Sequence, residues 1–255
     1  MKQMSFLPGK SAVLVAIALV SSVLFTGCLK NDDNNNNTSD NAGLMAFNLV
    51  PDRSSVAVRL SGNSLTNVPL AYNNFTGVYL GVFPGNRNVE VFDANGMLTS
   101  TAAFTFAPNR FYSLFVAGAN GSYRNILTED NFDDLSASGT AYVRYINAIP
   151  DSARPTVTIT AGGSAVVTEQ PAFGTVSAFT AVNPGSVTID LNNGTTIDAD
   201  RTITLESRKV YTILLTGIPG STATPVEIKY IENGIVDENT GGRIAAEGAS
   251  QKSAN

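Results

Sequence analysis

Carboxylates are the side chains best able to do chemistry in this sequence, because its 255 residues include no histidine. Without imidazole, serine–histidine–aspartate hydrolysis and histidine-bound zinc are excluded. Two carboxylates can cleave a glycoside by themselves, one as acid and the other as nucleophile. The candidate acids, however, are scattered over turns and the polar phase of strands: Asp93, Asp190, Asp198, Asp200 and Glu206. The pattern predicts no enzyme and no catalytic residue, and an acid-pair glycoside hydrolase is the enzymatic alternative.

Hard oxygen ligands of the kind that bind calcium occur in two polar segments, residues 130–134 and 198–200. Neither segment reproduces a full calcium-loop pattern, and acidic linkers are commonly just solvated. We therefore predict no metal site. No glycine-rich phosphate loop precedes a helix and no dinucleotide fingerprint occurs, so no cofactor is predicted.

Cys28 is the single cysteine, and it follows a segment typical of export. Lys2 and Lys10 precede a neutral run over residues 11–27, as in a signal peptide. Its apolar part is shorter than the ~20 residues that cross a bilayer as a helix. The small residues before Cys28 resemble a bacterial lipoprotein processing site, which implies removal of residues 1–27 and lipidation of Cys28. The alternative is an ordinary signal peptide that leaves an unlipidated thiol.

Residues 28–43 are dominated by asparagine and aspartate and have almost nothing apolar to bury, which predicts a disordered tether. Its acidic pair, Asp32-Asp33, resembles the signals that carry lipoproteins to the surface of Bacteroidetes-like bacteria. We therefore expect a lipid anchor in the outer membrane with the protein facing outward. A periplasmic orientation is the alternative, since a low-complexity linker explains the same residues.

The charge balance argues against nucleic acid as a partner. The chain has 16 basic and 21 acidic residues, and loss of Lys2 and Lys10 with the signal leaves 14 and 21, a net charge of −7. Such a surface repels phosphate backbones, and no basic stripe with interleaved aromatics is present. The expected partners are the membrane, through Cys28, and a glycan or an envelope protein. The pattern specifies no oligomeric state.

The sequence after the tether repeats itself. Four landmarks recur at a nearly constant offset, which indicates two independent domains because solenoid units are shorter, roughly 20–50 residues. The pairs are Pro51-Asp52 with Pro150-Asp151, Pro84-Gly85 with Pro184-Gly185, Tyr112 with Tyr211, and Gly118 with Gly217. We predict domains at residues 44–128 and 140–232, a polar hinge at 129–139 and a disordered tail at 233–255.

Apolar residues alternate with polar ones in both copies, as Val56, Val58 and Leu60 show in the first copy. A period of two indicates half-buried strands, and the frequent Asn-Gly and Pro-Gly turns separate them. Residues 111–117 and 210–216 are apolar on both faces, which favours central strands. The predicted fold is all-β: two tandem immunoglobulin-like antiparallel β-sandwich domains.

Tyr112 and Tyr211 each follow a polar turn and begin an apolar strand. A buried tyrosine in that position can hydrogen-bond back across the corner, so we predict a structural role for both rather than a catalytic one.

Several motifs of the second copy resemble the bacterial domain of unknown function 4397: residues 142–151, Gly162-Gly163, 172–174, Pro184-Gly185 and 209–212. The resemblance covers residues 141–217 and, more loosely, 44–118. It implies a tandem arrangement in an exported or lipid-anchored protein and no catalytic activity. Many members have histidine where this chain has Asn48 and Asn147, so no role of that histidine carries over.

Aromatic residues in loops are the candidates for a contact surface, because the loops at sandwich ends commonly bind ligands. These residues are Tyr72, Phe75 and Tyr123. The alternative is that they close the ends of the sandwiches. We therefore expect a lipid-anchored, non-enzymatic envelope protein for adhesion, scaffolding or ligand capture, with a carbohydrate-binding accessory lipoprotein of glycan uptake as the alternative.

Overall fold

The computed structural model describes residues 40–150 and 154–236, and the backbone of 244–245. The predictions for the signal peptide, Cys28, Asp151 and most of the tether and tail therefore lie outside the described residues. Every regular element in the described part is a β-strand. None of the described residues form a helix long and apolar enough to cross a membrane.

The first repeat is a sandwich of two sheets. One sheet has the order β5-β1-β8-β9 and the other β3-β2-β6-β7, with β4 also paired to β2. The strands are β1 Ala42–Leu49, β2 Ser55–Leu60, β3 Asn63–Ser64, β4 Leu70–Ala71, β5 Leu80–Val82, β6 Gly85–Asp93, β7 Leu98–Phe106, β8 Phe111–Ala119 and β9 Ser122–Glu129.

The second repeat has the same plan, with sheets ordered β13-β10-β16-β17-β18 and β12-β11-β14-β15. Its strands are β10 Ala141–Asn147, β11 Thr156–Ala161, β12 Ser164–Glu169, β13 Thr180–Val182, β14 Gly185–Asn192, β15 Asp198–Leu205, β16 Lys209–Thr216, β17 Glu227–Val236 and β18 Ile244–Ala245. The prediction of two tandem all-β sandwiches is confirmed.

One pairing in each repeat differs from the predicted antiparallel pattern. Strand β1 lies parallel to β8, and β10 lies parallel to β16, at equivalent places in the two sandwiches. The remaining strand pairs in the described residues are antiparallel. Alternation shows which face of a strand is buried but is the same for either direction, so the sequence could not reveal this pairing.

The two tyrosine corners form as predicted. The Tyr112 hydroxyl accepts a hydrogen bond from the Ala107 backbone N–H at 3.0 Å, and the Tyr211 hydroxyl accepts one from Glu206 N–H, also at 3.0 Å. Each bond reaches back five residues to the turn before the strand. Burial raises the pKa of Tyr211 to about 12.

The two sandwiches pack against each other through their β1–β8 and β10–β16 sheets, giving four layers of strands. Both belong to one compact unit, Asp40–Asn255. An apolar cluster joins the inner sheets: Met45, Phe47, Leu49, Phe75, Phe115 and Ala117 from the first repeat, and Ile146, Ala148, Leu214 and Ile231 from the second. This contact explains why the central strands are apolar on both faces. One face covers the core of its own sandwich and the other covers the neighbouring repeat.

The segment between the repeats is packed into this contact. Within the predicted hinge, Asp130, Phe132 and Leu135 are buried. Phe132 and Leu135 join an apolar cluster with Val210 and Val236 of the second repeat. Strand β17 also continues into the predicted tail and ends at Val236. Polar composition suggested exposure for both segments, but Phe132, Leu135 and Val236 pack into an apolar cluster that the sequence did not reveal.

Candidate functional site

The most strongly charged interior feature is an ion pair between the repeats. Asp130 follows β9 of the first repeat, and Arg144 lies in the middle of β10 of the second. Arg144 Nη1 lies 2.5 Å from Asp130 Oδ1, and the two side chains are 2% and 0% exposed. A buried charge is tolerated only when it is paired and hydrogen-bonded, and this pair meets both conditions.

Further hydrogen bonds saturate the carboxylate of Asp130. Its Oδ2 accepts from Ser113 Oγ at 2.7 Å and from the Tyr79 hydroxyl at 2.6 Å. Ser113 in turn accepts from Arg144 Nη2 at 2.9 Å. The two oxygens of Asp130 are therefore bonded to residues of both repeats.

The network continues into the second repeat through the other side of the guanidinium. Arg144 Nε donates to Thr212 Oγ1 at 3.0 Å, and Thr212 donates to Asn233 Oδ1 at 2.6 Å. Asn233 Nδ2 then donates to the Tyr79 hydroxyl at 3.2 Å, which closes a ring of side chains. The guanidinium also lies 4.4 Å from the centre of the Phe179 ring, within the range of a cation–π contact.

This network is built to hold the repeats together. Burial, followed by the nearby charge of Asp130, raises the pKa of Tyr79 well above its usual range, so the phenol remains a hydrogen-bond donor at neutral pH. Each acidic or basic member is bonded to another member; Arg144 also lines a pocket of about 340 Å³, but its side chain is only 2% exposed. We interpret the network as structural.

The predicted contact residues lie in different surroundings. Phe75 is buried, and its ring stacks on Phe47 with the ring centres 5.4 Å apart, so it cannot offer a face to a ligand. Tyr72 is half-buried with its hydroxyl oxygen shielded from solvent, and burial raises its pKa. Both residues belong to the loop that meets the second repeat, where Asn73 Nδ2 donates to Glu227 Oε1 at 2.5 Å.

Tyr123 packs on the turn that follows β1. Its hydroxyl donates to Asp52 Oδ2 at 2.8 Å, and the Arg53 guanidinium lies 5.1 Å from the ring centre. Asp52 also accepts a hydrogen bond from the Asn120 backbone N–H at 2.8 Å. The structure thus does not bring Tyr72, Phe75 and Tyr123 together into one contact surface.

The acidic residues of segment 130–134 have protein partners, and in segment 198–200 Asp198 accepts from Asn192 Nδ2 at 3.0 Å. Asp130 is in the buried network, Asp133 pairs with Arg110 at 2.7 Å, and Asp134 accepts from Asn131 at 2.8 Å. Among the described residues, no three histidine, cysteine, aspartate or glutamate side chains are grouped so that they could hold a metal ion.

An open groove of about 360 Å³ lies along one side of the first sandwich. It runs between β3 and β5, which are the edge strands of the two sheets. Its walls are mainly aliphatic: Leu60, Leu65, Leu80, Gly81 and Val82, with Asn63 and Ser64 on the β3 side and Phe83 and Arg87 at the turn into β6. We call this the edge groove. Its volume lies within the range of ligand pockets, and its lining is mostly apolar with a few polar groups, as binding sites commonly are.

Two residues that the sequence analysis did not single out define the open end of the edge groove. Phe83 is 74% exposed, an unusual state for a phenylalanine. Arg87 donates from Nε to the Phe83 carbonyl and from Nη2 to the Pro84 carbonyl, both at 3.1 Å. The sequence signal that could have revealed Phe83 is the alternation of side chains in β5. Val82 faces the core, so the next residue, Phe83, faces solvent.

Comparison with known proteins identifies the family of this chain. A family model described as Domain of unknown function (DUF4397) matches residues 42–152 and 141–233. The chain belongs to this family. The two matches together span both sandwiches and overlap at residues 141–152, so the chain is a tandem DUF4397 protein.

Other comparisons add little to that assignment. One matching solved structure is a crystal structure of a Parabacteroides distasonis protein provisionally described as a cell adhesion protein. It is 10% identical to this DUF4397 chain, covers 82% of this chain and 96% of its own, and superposes with a TM-score of 0.22. The search of curated proteins found no match.

Equivalent asparagines have the same role in both DUF4397 repeats. Asn48 donates from Nδ2 to the Leu70 carbonyl at 2.9 Å and accepts from Val50 N–H at 3.0 Å. Asn147 makes the matching bonds to the Pro171 carbonyl and from Ile149 N–H, both at 3.1 Å. Both side chains are buried, so each fixes the loop that follows the first strand of its repeat.

Proposed function

We propose that this tandem DUF4397 protein is a lipid-anchored, non-enzymatic component of the cell envelope that presents a rigid binding body away from the membrane. Cys28 carries the anchor, the asparagine-rich segment before Ala42 is the tether, because β1 already begins at Ala42, and the paired sandwiches are the body. The acidic tether places the body on the outer surface of the cell.

One observation carries the non-enzymatic part of this proposal. The buried ionisable residues between the repeats, Asp130 and Arg144, are bonded to each other and to neighbouring side chains. A catalytic pair needs at least one group that can reach a substrate, and these two side chains are only 2% and 0% exposed. The absence of histidine from the whole chain supports the same conclusion.

The packing between the repeats supports a presenting role. Two domains joined by a flexible linker would sample many relative orientations, and a binding surface on one would be poorly placed by the other. Here Phe47 and Phe115 of the first repeat share one apolar cluster with Ile146 and Leu214 of the second. The body therefore acts as one piece, and its flexibility is left to the tether.

The anchor is tested with Cys28→Ser, which removes the single cysteine of the chain. We expect the natural protein to fractionate with membranes and its processed N-terminus to have the mass of a lipidated cysteine. The Cys28→Ser protein should be released in soluble form with its fold intact by circular dichroism. An unmodified thiol at Cys28, or membrane association that survives the substitution, would contradict the anchor.

Outward display on the cell surface is tested separately by adding protease to intact cells. Cleavage of the lipoprotein without permeabilisation supports outward display. Complete protection until the outer membrane is opened would reject outward display and leave the anchor itself untouched. A periplasmic protein of known location serves as the control for cell integrity.

A further inference from the structure

The edge groove of the first repeat is a described feature that the proposed function leaves without a role. Phe83 is exposed at its end, and β3 and β5 on either side are edge strands. Edge strands carry backbone N–H and C=O groups that an additional strand can pair with, and natural proteins commonly cover or block them.

We propose that the edge groove binds an extended, acidic segment of a partner polypeptide, which adds a short strand to β5 and places a carboxylate on Arg87. This inference rests on the proposed function, since it names the kind of partner that the presented body captures. Recognition by strand addition draws affinity from main-chain hydrogen bonds and specificity from pockets for alternate side chains.

The charge of the groove selects an anionic occupant. Arg87 is the one ionisable residue among the described residues that line it. Two of its N–H groups are held by the carbonyls of Phe83 and Pro84, which fixes the guanidinium at the end of the groove. No carboxylate of the described residues lies within ion-pair distance of Arg87. Its outward N–H groups are thus oriented for a carboxylate of the partner.

The shape of the groove favours a peptide strand over a compact ligand. Strand β5 spans three residues, Leu80–Val82, and pairs with β1 on one side. Gly81 is exposed in the middle of β5 and adds no side chain of its own there, although the Asn41 side chain lies beside it. A strand added to β5 would pair over about three residues, and one apolar side chain could enter between Leu65 and Leu80.

The test uses the full-length lipoprotein, purified in detergent, and strand-length synthetic peptides that alternate valine with threonine. One peptide ends in two aspartates and the matched peptide ends in two lysines. We expect the acidic peptide to bind at least about tenfold more tightly than the basic one, as measured by fluorescence anisotropy, since a hydrogen bond to a charged group is lost in the exchange. N-methylation of alternate amides, which blocks backbone pairing, should abolish binding.

Two variants assign the binding to the edge groove. Arg87→Gln should weaken the acidic peptide about tenfold and leave the basic peptide unchanged, and Phe83→Ser should weaken both. Met97→Ser is the matched control, because Met97 is 67% exposed on the turn between β6 and β7 and outside the groove. All three residues are on the surface, so unchanged thermal unfolding confirms that each variant is folded.

Several results would overturn the proposal. Equal binding of the acidic and basic peptides, binding that survives N-methylation, or binding that Arg87→Gln leaves unchanged would each reject strand addition with a carboxylate on Arg87. Failure of both peptides to bind would reject it as well. If decanoate or an oligogalacturonate binds and loses affinity in Arg87→Gln while the peptides do not bind, the groove is a site for a lipid or an acidic glycan instead. None of these results depends on lipidation of Cys28, so they do not test the lipid anchor.

Discussion

Arg144 of the second repeat and Asp130 of the connecting segment form an ion pair in which the side chains are 2% and 0% exposed. Nη1 and Oδ1 are 2.5 Å apart, and Ser113 bridges the same two side chains from the first repeat. The pair therefore ties both sandwiches and their connection at a single point. Removal of one partner from such a site leaves the other charged and buried, which is far more harmful than the loss of an exposed pair.

Arg144→Met is expected to lower the free energy of unfolding by about 3–5 kcal/mol, because the carboxylate of Asp130 loses its counter-ion inside the protein. Urea denaturation followed by circular dichroism measures the change. The matched control is Arg110→Met, which removes a pair with Asp133 whose side chains are 46% and 64% exposed and should change stability by less than about 1 kcal/mol. Equal effects of the two substitutions would contradict the structural role of the network.

A double variant separates the ion pair from the packing of its side chains. Asp130→Asn with Arg144→Met removes both charges, so its effect should be clearly smaller than the sum of the single effects. A strictly additive result would show that the two residues do not interact in the folded protein.

Gly118→Ala and Gly217→Ala are each expected to destabilise the fold by about 3 kcal/mol, the combined effect of left-handed strain and overpacking. Their φ angles are +125° and +101°, and an added Cβ would lie 2.1 Å from the carbonyl oxygen of Ser122 or Pro225. Gly96→Ala is the control, because Gly96 has a φ of +75° and open space around it, and we expect a loss of about 1 kcal/mol. In thermal unfolding, Gly96→Ala should lower the unfolding temperature least of the three variants. A larger loss for Gly96→Ala than for the other two would contradict the backbone conformation described for these glycines.

Tyr112→Phe and Tyr211→Phe should each destabilise the protein by about 1–3 kcal/mol, since a backbone N–H at the corner loses its acceptor. The two bonds have the same length and span the same five residues, so the two losses should be similar. Hydrogen exchange of the Ala107 and Glu206 amides gives a local readout. Each amide should lose protection in its own variant and keep it in the other. Protection that is unchanged in both variants would rule out the corner bonds.

The protein is expected to lose stability in alkaline solution through its buried tyrosines. An exposed tyrosine has a pKa near 10, whereas burial raises the pKa of Tyr211 to about 12 and raises that of Tyr79 well above its usual range. Between pH 10 and 12 the unfolded chain releases a proton that folded Tyr211 retains. The free energy of unfolding therefore falls by up to about 1.4 kcal/mol per pH unit for each such tyrosine. Above the folded pKa the contribution of Tyr211 is fully lost, and below pH 10 it is fully present.

Tyr211→Phe should reduce the slope of stability against pH in the same interval, because the variant has one fewer proton to retain. Urea unfolding at a series of alkaline pH values, together with tyrosinate absorbance, measures both the slope and the titration. An unchanged slope in the variant would assign the alkaline loss to other groups.

Local pattern determined much of the architecture. The alternation of Val56, Val58 and Leu60 indicated a half-buried strand, and these residues do form β2 against the core of the first sandwich. Tyr112 and Tyr211 could be assigned to corners because a polar turn and an apolar strand flank each of them. Such features depend on neighbours a few residues away, so the sequence alone contains the information that specifies them.

Only the tertiary structure decided what covers each apolar face and which distant polar groups meet. Residues 111–117 show by their composition that both faces of β8 are buried, but not that the second face meets the other repeat through Phe115 and Leu214. Asp130 was indistinguishable from a solvated linker acid until the fold placed Arg144 beside it. Phe75 likewise changed from a loop candidate to a buried contact of Phe47. The physical reason is that burial and ion pairing depend on residues far apart in the chain, whereas periodicity records only which side of a strand avoids water.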